Sequence, residues 1–277
     1  MNLTSLSDVK ALLSEIGIMP NSKLGQNFLI DRNILDIIIN MACINSCDRV
    51  LEVGPGLGTL TEMLMEKAAF VTAIEKDSGL YTHLVSRLHA AKNLTLIHSD
   101  AVDVDLSGIS FNRFVSNLPY CVASRLLVDM FMMQNPPESI TVTVQLEVAD
   151  RLAAKPGTSE YGLLSVLCQL VYDSSDIRKV TPGCFWPAPG VDSAVINLVR
   201  KPGALVDESS RKAVCDLVKK AFSMRRKKLS TIFKSMGMPV SYLIESEISP
   251  DLRPEKIAPA QWITLVAIIS RNRNSTL

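Results

Sequence analysis

The alternation of apolar and polar positions divides most of the chain into short strand-like runs and amphipathic segments. The strand-like runs are apolar and rich in β-branched residues, and apolar residues recur at helical spacing in the segments between them. This alternation is typical of βαβ units around a parallel sheet. It predicts strands at residues 49–53, 70–74, 94–98, 113–116 and 140–144, with helices at 57–66, 78–90 and 124–133.

Two later runs, at residues 172–180 and 193–200, complete the strand pattern. Proline and glycine are frequent between them, so we expect an antiparallel pair at an edge of the sheet. The sequence therefore predicts an α/β fold with a mostly parallel sheet of seven strands. After Gly203 apolar residues recur at helical spacing, which predicts a small C-terminal helical domain. The breaker Pro202-Gly203 places the boundary between domains at residues 1–202 and 203–277.

Composition narrows the class of protein. The 277 residues are 47% hydrophobic and 21% charged, which excludes a disordered chain, a collagen and a disulfide scaffold. No run approaches the roughly 18 consecutive apolar residues of a membrane span, and the first residues do not resemble a secretory signal. We therefore expect a soluble cytoplasmic protein that does not bind membranes. The six cysteines are scattered and no histidine completes a zinc site, so no metal is expected.

Charge is distributed unevenly along the chain. Residues 1–200 contain 15 Lys and Arg against 21 Asp and Glu, whereas residues 201–277 contain 14 against 7. Such asymmetry indicates a polyanionic partner for the basic part. A solvated helix face is the simpler explanation, but the density of basic residues favours nucleic acid. The candidate RNA-binding residues are Lys219, Lys220, Arg225, Arg226, Lys227 and Lys228.

A glycine-rich turn follows the first predicted strand of the sheet. Glycines at 54, 56 and 58 allow a ligand to approach the backbone, and the helix that follows presents free N–H groups. The dinucleotide fingerprint requires a glycine at position 59, where this chain has Thr59. The spacing is instead typical of sites whose ligand lacks a pyrophosphate, notably S-adenosylmethionine. By itself this turn is a weak signal, because a glycine-rich turn between a strand and a helix can serve packing without binding a ligand.

The next two strands end in carboxylates that suit an adenosine ligand. Glu75 lies about twenty residues beyond the glycines, where a carboxylate accepts hydrogen bonds from ribose hydroxyls. Asp100 ends the third strand and is predicted to accept from the adenine amine. Lys76 and Ala101, which follow them, complete this part of the candidate cofactor site. Asp77 fits the role of an ordinary helix-start acid.

The fourth strand ends in Asn117-Leu118-Pro119-Tyr120, which predicts chemistry on an adenine amine. Such an amine is a poor nucleophile because its lone pair is delocalised into the ring. The side-chain carbonyl of Asn117 and the main-chain carbonyl of Leu118 would accept its two hydrogens and favour a pyramidal nitrogen. Pro119 restricts the turn, and Tyr120 offers a face on which the target base stacks. The simpler explanation is a common Asn-x-Pro turn with a buried tyrosine.

At this point the chain resembles the ribosomal RNA adenine dimethyltransferases of the KsgA type. Four further segments support the resemblance over most of the length: Lys23-Leu-Gly-Gln26-Asn27-Phe28-Leu29, the glycine turn from Glu52 to Thr61, Lys155-Pro-Gly-Thr-Ser-Glu-Tyr-Gly-Leu-Leu-Ser165, and Phe185-Trp-Pro-Ala-Pro-Gly-Val-Asp-Ser193. The family has a Rossmann-like methyltransferase sheet. Members usually have a lysine where this chain has Gly190, so a phosphate contact expected there is missing.

The resemblance implies residue roles and a substrate. It assigns S-adenosylmethionine contacts to Asn27, Leu29, Gly54, Glu75, Asp100 and Asn117, to which the chain's own pattern adds Gly56 and, in a lid over the ligand, Gln26. It also implies that Phe185 stacks on the target base opposite Tyr120. The implied reaction dimethylates two adjacent adenosines in a loop near the 3′ end of 16S ribosomal RNA. The implied partner is a pre-30S particle. The resemblance also implies that the protein is a monomer and that it acts in small-subunit biogenesis.

Three alternatives stay open at this stage. A nicotinamide-dependent oxidoreductase shares the glycine turn and Glu75, but it leaves the Asn117–Tyr120 segment unexplained. A non-catalytic ribosome assembly factor would bind the same RNA without methylating it. An erythromycin-resistance methyltransferase uses the same chemistry on large-subunit RNA.

Overall fold

The computed structural model of the chain describes residues 2–21, 24–202 and 207–274. Two positions used above, Lys23 and Gly203, lie outside the described residues. The described residues form two units. The sheet unit draws on Met1–Met130, Asn135–Ala149 and Ser174–Arg200, and the helical unit draws on Phe131–Gln134, Asp150–Asp173 and Lys201–Leu277.

Strands and helices alternate through the first two thirds of the chain. The strands are β1 (Phe28–Leu29), β2 (Arg49–Val53), β3 (Phe70–Glu75), β4 (Leu94–His98), β5 (Arg113–Asn117), β6 (Ser139–Gln145), β7 (Tyr172–Val180), β8 (Phe185–Trp186) and β9 (Ser193–Arg200). The helices are α1 (Leu6–Glu15), α2 (Arg32–Ala42), α3 (Thr59–Met65), α4 (Ser78–Leu88), α5 (Tyr120–Met132), α6 (Leu146–Ala153), α7 (Leu163–Val171), α8 (Glu208–Ser223), α9 (Leu229–Ser235), α10 (Ser241–Glu245) and α11 (Pro259–Asn274).

The sheet has the strand order β4-β3-β2-β5-β6-β9-β7. Neighbours from β4 to β6 are parallel, and β9 pairs antiparallel with β6. The prediction of a mostly parallel, seven-stranded sheet is confirmed. The strand order reverses between β2 and β5, and in open α/β sheets the crevice at such a reversal is where ligands bind. The carboxyl ends of β2 and β5 therefore mark the expected position of a site.

Helix α2 closes one face of the sheet unit. The Asp31 side chain caps its first turn by accepting from the N–H groups of Asn33 and Ile34. Its buried face, which includes Leu35 and Ile38, packs in one cluster with residues of α3 and of the central strands. Because apolar side chains recur on one face of the helix, this burial follows from the sequence.

Helix α5 begins at Tyr120, four residues before the start predicted for it. Pro119 lacks an N–H and its ring fixes φ, so it is well suited to stand just before the first helical turn. As a result, the Asn117–Tyr120 segment forms a tight connection from β5 directly into α5. Helices α1, α6 and α7 were not predicted.

The helical unit includes more than the C-terminal residues. Tyr161 is buried in it, and its hydroxyl donates to the main-chain carbonyl of Ile257 at 2.8 Å. The Phe222 ring lies 6.2 Å from the Tyr161 ring and 6.5 Å from the Trp262 ring, measured between centroids. These contacts explain why residues 150–173 group with the C-terminal helices. The last change between the two units falls between Arg200 and Lys201, and the helical unit also contains two earlier segments. The division into domains at residues 202 and 203 stays a prediction.

Candidate active site

A cavity lies at the carboxyl ends of the central strands, with about 1160 Å³ of unfilled space including its open mouth. Every residue predicted to hold the cofactor lines it: Gln26, Asn27, Leu29, Gly54, Gly56, Glu75, Lys76, Asp100, Ala101 and Asn117. Leu118, Pro119 and Tyr120 line it as well.

Gly54 brings the glycine turn into contact with the Asn117–Tyr120 segment. Its φ of +71° is one that residues with a side chain rarely adopt, and a Cβ there would lie 2.9 Å from Cγ of Pro119. A side chain at this position would therefore push the two turns apart.

Glu75 ties the end of β3 to the glycine turn. One carboxylate oxygen accepts from the N–H of Asp77 at 2.8 Å, and the other accepts from the N–H of Gly56 at 3.2 Å. Burial raises the pKa of Glu75, although the backbone hydrogen bonds oppose that effect. Asp77 itself caps α4 by accepting from the N–H groups of Gly79 and Leu80, the helix-start role expected for it.

Asp100 is paired with Lys76 at the end of β4. Nζ of Lys76 lies 2.6 Å from one carboxylate oxygen of Asp100, and the N–H of Val102 donates to the other at 3.2 Å. The hydrogen bond from Lys76 lowers the pKa of the Asp100 carboxyl, which is thus an ionised acceptor at neutral pH.

Asn117 presents an unpartnered acceptor at the end of β5. Its Nδ2 donates to the main-chain carbonyl of Asn27 at 3.2 Å, and this fixes which side of the amide carries the oxygen. Its Oδ1 is buried and has no hydrogen-bond partner among the described residues. A buried acceptor left without a donor is costly, so a ligand N–H that reaches it is favoured.

Two contacts fix the rest of this turn. The N–H of Leu118 donates to the main-chain carbonyl of Thr143 on β6 at 3.2 Å. The Tyr120 hydroxyl lies 2.5 Å from the Ser193 hydroxyl, at the start of β9. Burial raises the pKa of Tyr120, which is therefore a neutral phenol at physiological pH.

The segment before α2 forms part of the cavity wall. Oε1 of Gln26 accepts from the N–H of Asn21 at 2.7 Å, and its Nε2 donates to a carboxylate oxygen of Asp77 at 3.0 Å. Strand β1 then pairs antiparallel with β8. The lid expected of this segment stays a prediction.

Phe185 is not brought together with Tyr120 at the cavity. Its Cα pairs with that of Leu29, and its ring is 3% exposed within the hydrophobic cluster beside α2. Stacking on a base requires this ring to be uncovered, so the role implied by the resemblance stays a prediction. Gly190, the departure noted above, has open space where a side chain would project.

Glu52 is a functional candidate that the sequence reasoning did not single out. It lines the cavity and is 1% exposed, and it accepts from the Thr61 hydroxyl at 2.7 Å. Burial, with a smaller effect from Glu75, raises the pKa of Glu52 to about 8. The signal was present, because Glu52 is a carboxylic acid inside an otherwise buried run of strand β2.

The acidic and basic side chains described around the cavity are Glu52, Glu75, Asp100 and Lys76. Glu52 keeps its proton at neutral pH, and the lysine is already paired with Asp100. No other basic side chain among the described lining residues is available to neutralise a pyrophosphate. A ligand with a positive sulfonium group and hydroxyls suits this lining better. The nicotinamide alternative is therefore disfavoured on electrostatic grounds.

The basic run lies at the connection between α8 and α9 of the helical unit. The side chains of Lys219, Lys220, Arg226, Lys227 and Lys228 are exposed. Arg225 is half-buried and donates to the carbonyl of Thr158 at 3.0 Å, and Nζ of Lys228 lies 2.9 Å from a carboxylate oxygen of Asp251. Arg225 and Lys228 thus take part in contacts within the unit, whereas the other four form the more available basic surface.

Metal sites and membrane spans are both absent from residues 2–21, 24–202 and 207–274. Within these ranges no group of three or more His, Cys, Asp or Glu side chains is placed to hold a metal ion. Over the same residues, none of the helices has the length and apolar character needed to cross a membrane.

Comparison with known proteins gives a consistent result. The profile of the family described as ribosomal RNA adenine dimethylase matches residues 19–271. A ribosomal RNA small subunit methyltransferase A from Clostridium botulinum is 40% identical over 83% of this chain and 86% of its own length. A protein of the same name from Clostridium perfringens is 36% identical over 99% of this chain and 100% of its own length.

Two solved structures share the fold. A dimethyladenosine transferase from Plasmodium falciparum superposes with a TM-score of 0.77 at 25% identity, over 88% of this chain and 97% of its own. The 23S rRNA methyltransferase ErmE superposes with a TM-score of 0.66 at 26% identity, over 88% of this chain and 100% of its own.

The buried carboxyl of Glu52 makes stability depend on pH. The folded chain retains this proton up to about pH 8, whereas an unfolded chain releases it near the ordinary value of 4.5. Between these values the unfolded state binds fewer protons, so stability falls as pH rises. We expect Glu52→Gln to remove this loss. Its stability relative to wild type should grow by up to about 1.4 kcal/mol per pH unit and level off above about pH 8.

Denaturant unfolding at one-unit steps from pH 5 to pH 9 measures this difference. Glu66→Gln, on the exposed end of α3, is the control for the chemical change itself. A Glu52→Gln advantage that is constant across the range would show that the carboxyl ionises normally in the folded chain.

Proposed function

The chain belongs to the ribosomal RNA adenine dimethylase family, and on that premise we propose that it dimethylates the exocyclic amines of adenosines in small-subunit ribosomal RNA. It is an S-adenosylmethionine-dependent methyltransferase. The relatives that are 36% to 40% identical are named for the small subunit, which favours this substrate over the large-subunit alternative. The observation that carries the proposed chemistry is the buried, unpartnered Oδ1 of Asn117.

The strand ends supply the groups that would hold the cofactor. Asp100 accepts from the adenine amine, Glu75 from the ribose hydroxyls, and the turn at Gly54 lets the ligand approach the backbone. When bound, S-adenosylmethionine supplies an electrophilic methyl group on a positively charged sulfur. The acidic lining described above favours that charge.

Asn117 and Leu118 activate the target amine. Their carbonyl oxygens accept its two hydrogens and favour a pyramidal nitrogen, whose lone pair is then free to attack. Bound S-adenosylmethionine would supply the methyl group to this lone pair, with its sulfur as the leaving group that keeps the electron pair. The cationic amine then loses a proton to water, so no side chain acts as general base.

The target base must leave its stack to reach this turn, and Tyr120 offers the face on which it rests. Phosphate contacts come from the helical unit, because the sheet unit is acidic. We place the reaction on two adjacent adenosines near the 3′ end of 16S ribosomal RNA, within a pre-30S particle in the cytoplasm, and the enzyme acts as a monomer. A role in assembly is compatible with this activity.

Asn117→Ala should lower kcat on the order of 10²-fold, because its oxygen acts on the amine as charge develops in the transition state. S-adenosylmethionine affinity, measured by calorimetry, should change far less. Asn40→Ala, on the exposed face of α2, is the matched control. Turnover of Asn117→Ala at the wild-type rate would contradict this mechanism. An equal loss in kcat and in cofactor affinity would mean that Asn117 acts only in cofactor binding.

The product identifies the substrate. The substrate is 30S particles from cells that lack this methylation, and they react exhaustively with the enzyme and S-adenosylmethionine. We expect mass spectrometry to detect two dimethyladenosines per particle afterwards. Large-subunit particles treated in parallel should gain none. Monomethyladenosine as the final product would contradict dimethylation, and methylation of 23S RNA would establish the erythromycin-resistance type of activity instead.

Arg226→Ala/Lys227→Ala should weaken binding to the ribosomal substrate and reduce the slope of log affinity against log salt by about 1 for each phosphate that is no longer neutralised. The reason is that fewer counterions are released, and cofactor affinity should stay unchanged. Lys67→Ala/Lys92→Ala removes the same charge from exposed positions of the sheet unit. Filter binding at several salt concentrations compares the two variants. Equal slopes for both would mean that the run only solubilises the helical unit.

A further inference from the structure

Ser193 holds the hydroxyl of Tyr120 at the inner end of that side chain. The two oxygens are 2.5 Å apart, and they come from positions 73 residues apart in sequence. Ser193 is fully buried, whereas Tyr120 is half-buried and lines the cavity. The tyrosine therefore has its polar end fixed inside the protein, and part of its side chain faces the site.

The strand pairing makes Ser193 a rigid support. Its Cα pairs with that of Gln145 at the end of β6, and the N–H of Leu146 donates to the carbonyl of the preceding Asp192 at 2.9 Å. A residue held in a strand ladder in this way keeps its side chain in a fixed place.

The base of the Tyr120 side chain is fixed by the same strand. Leu118, two residues earlier, donates its N–H to Thr143 of β6. The backbone at one end of the tyrosine and the hydroxyl at the other are thus both tied to the carboxyl end of β6 and its partner β9. Because the hydroxyl oxygen lies on the long axis of the ring, anchoring the backbone and the hydroxyl fixes χ1 and therefore the position and direction of that axis.

We propose that Ser193 is a positioning residue for methyl transfer, whose hydroxyl holds the ring of Tyr120 in the position at which the target adenine stacks on it. The inference rests on the proposed function. A serine suits this place because its hydroxyl both donates and accepts, so it satisfies the buried phenol without adding a charge. Alanine would leave the phenol hydroxyl without this partner, which favours a side chain displaced from that position.

The test compares kcat/KM on 30S particles for Ser193→Ala, Tyr120→Phe and the double variant. Each single variant should lose about three- to tenfold, the range expected for one hydrogen bond. The double variant should lose no more than Tyr120→Phe does, because Ser193 has nothing to hold once the phenol is gone. Cofactor affinity should stay at the wild-type value in all three. If Ser193→Ala lowers kcat/KM by the same factor in the wild-type protein and in Tyr120→Phe, the proposal is overturned.

Two further variants distinguish a positioning role of Ser193 from a general effect on folding and from a failure of the proposed stacking. Ser139→Ala removes a buried hydroxyl at the opposite end of β6, and its effect should be the same with or without the phenol of Tyr120. Tyr120→Ala tests the proposed stacking itself. Wild-type turnover in that variant refutes the stacking role, whereas a large loss there with no loss in Ser193→Ala refutes only the present inference.

A spectroscopic measurement covers the case in which Ser193→Ala folds poorly. Ser193→Cys keeps the volume with a weaker hydrogen-bonding group. RNA that carries 2-aminopurine at the target position reports stacking by the quenching of its fluorescence. We expect less quenching with Ser193→Cys than with wild type, and equal quenching would overturn the proposal.

Discussion

The approach of Pro119 to Gly54 determines the geometry of the site. The two residues follow the adjacent parallel strands β5 and β2, at the point where the strand order of the sheet reverses. The ring of Pro119 occupies the space in which a side chain at 54 would project. The absence of that side chain therefore lets the glycine turn, which we propose holds the cofactor, contact the turn that we propose holds the reactive amine, as direct transfer between two ligands requires.

Hydrogen bonds around this contact hold each polar group in place and leave it acceptor capacity for a ligand. Glu75 is engaged by backbone N–H groups, and Asp100 by a lysine. Asn117 has its amide nitrogen engaged and its oxygen unpartnered. Charge is divided, because the cavity carries carboxyls whereas exposed basic side chains cluster on the helical unit. In the proposed function, cofactor and RNA therefore bind surfaces of opposite sign.

Strand positions and strand-end residues were predictable because both depend on local order in the sequence. The segment rich in proline and glycine at 181–190 marked the strands on either side of it, β7 and β9, which have the predicted bounds. The carboxyl ends of parallel strands meet at one edge of the sheet. Contacts between distant segments have no such local signal. The two-residue pairing of β1 with β8 buries Phe185, and the hydrogen bond from Tyr120 to Ser193 joins elements far apart in the chain. The membership of Tyr161 in the helical unit likewise depends on a tertiary hydrogen bond.

The unpartnered oxygen of Asn117 also has a consequence for how the reaction ends. In the proposed chemistry, it and the Leu118 carbonyl recognise the amine by its hydrogens, and each methyl group transferred replaces one of them. The unmodified base satisfies both acceptors, the monomethylated base satisfies one, and the dimethylated base satisfies none. Since a buried acceptor without a donor is unfavourable by about 1–3 kcal/mol, affinity for the base declines at every step. The same two oxygens that admit the substrate thereby promote release of the finished product.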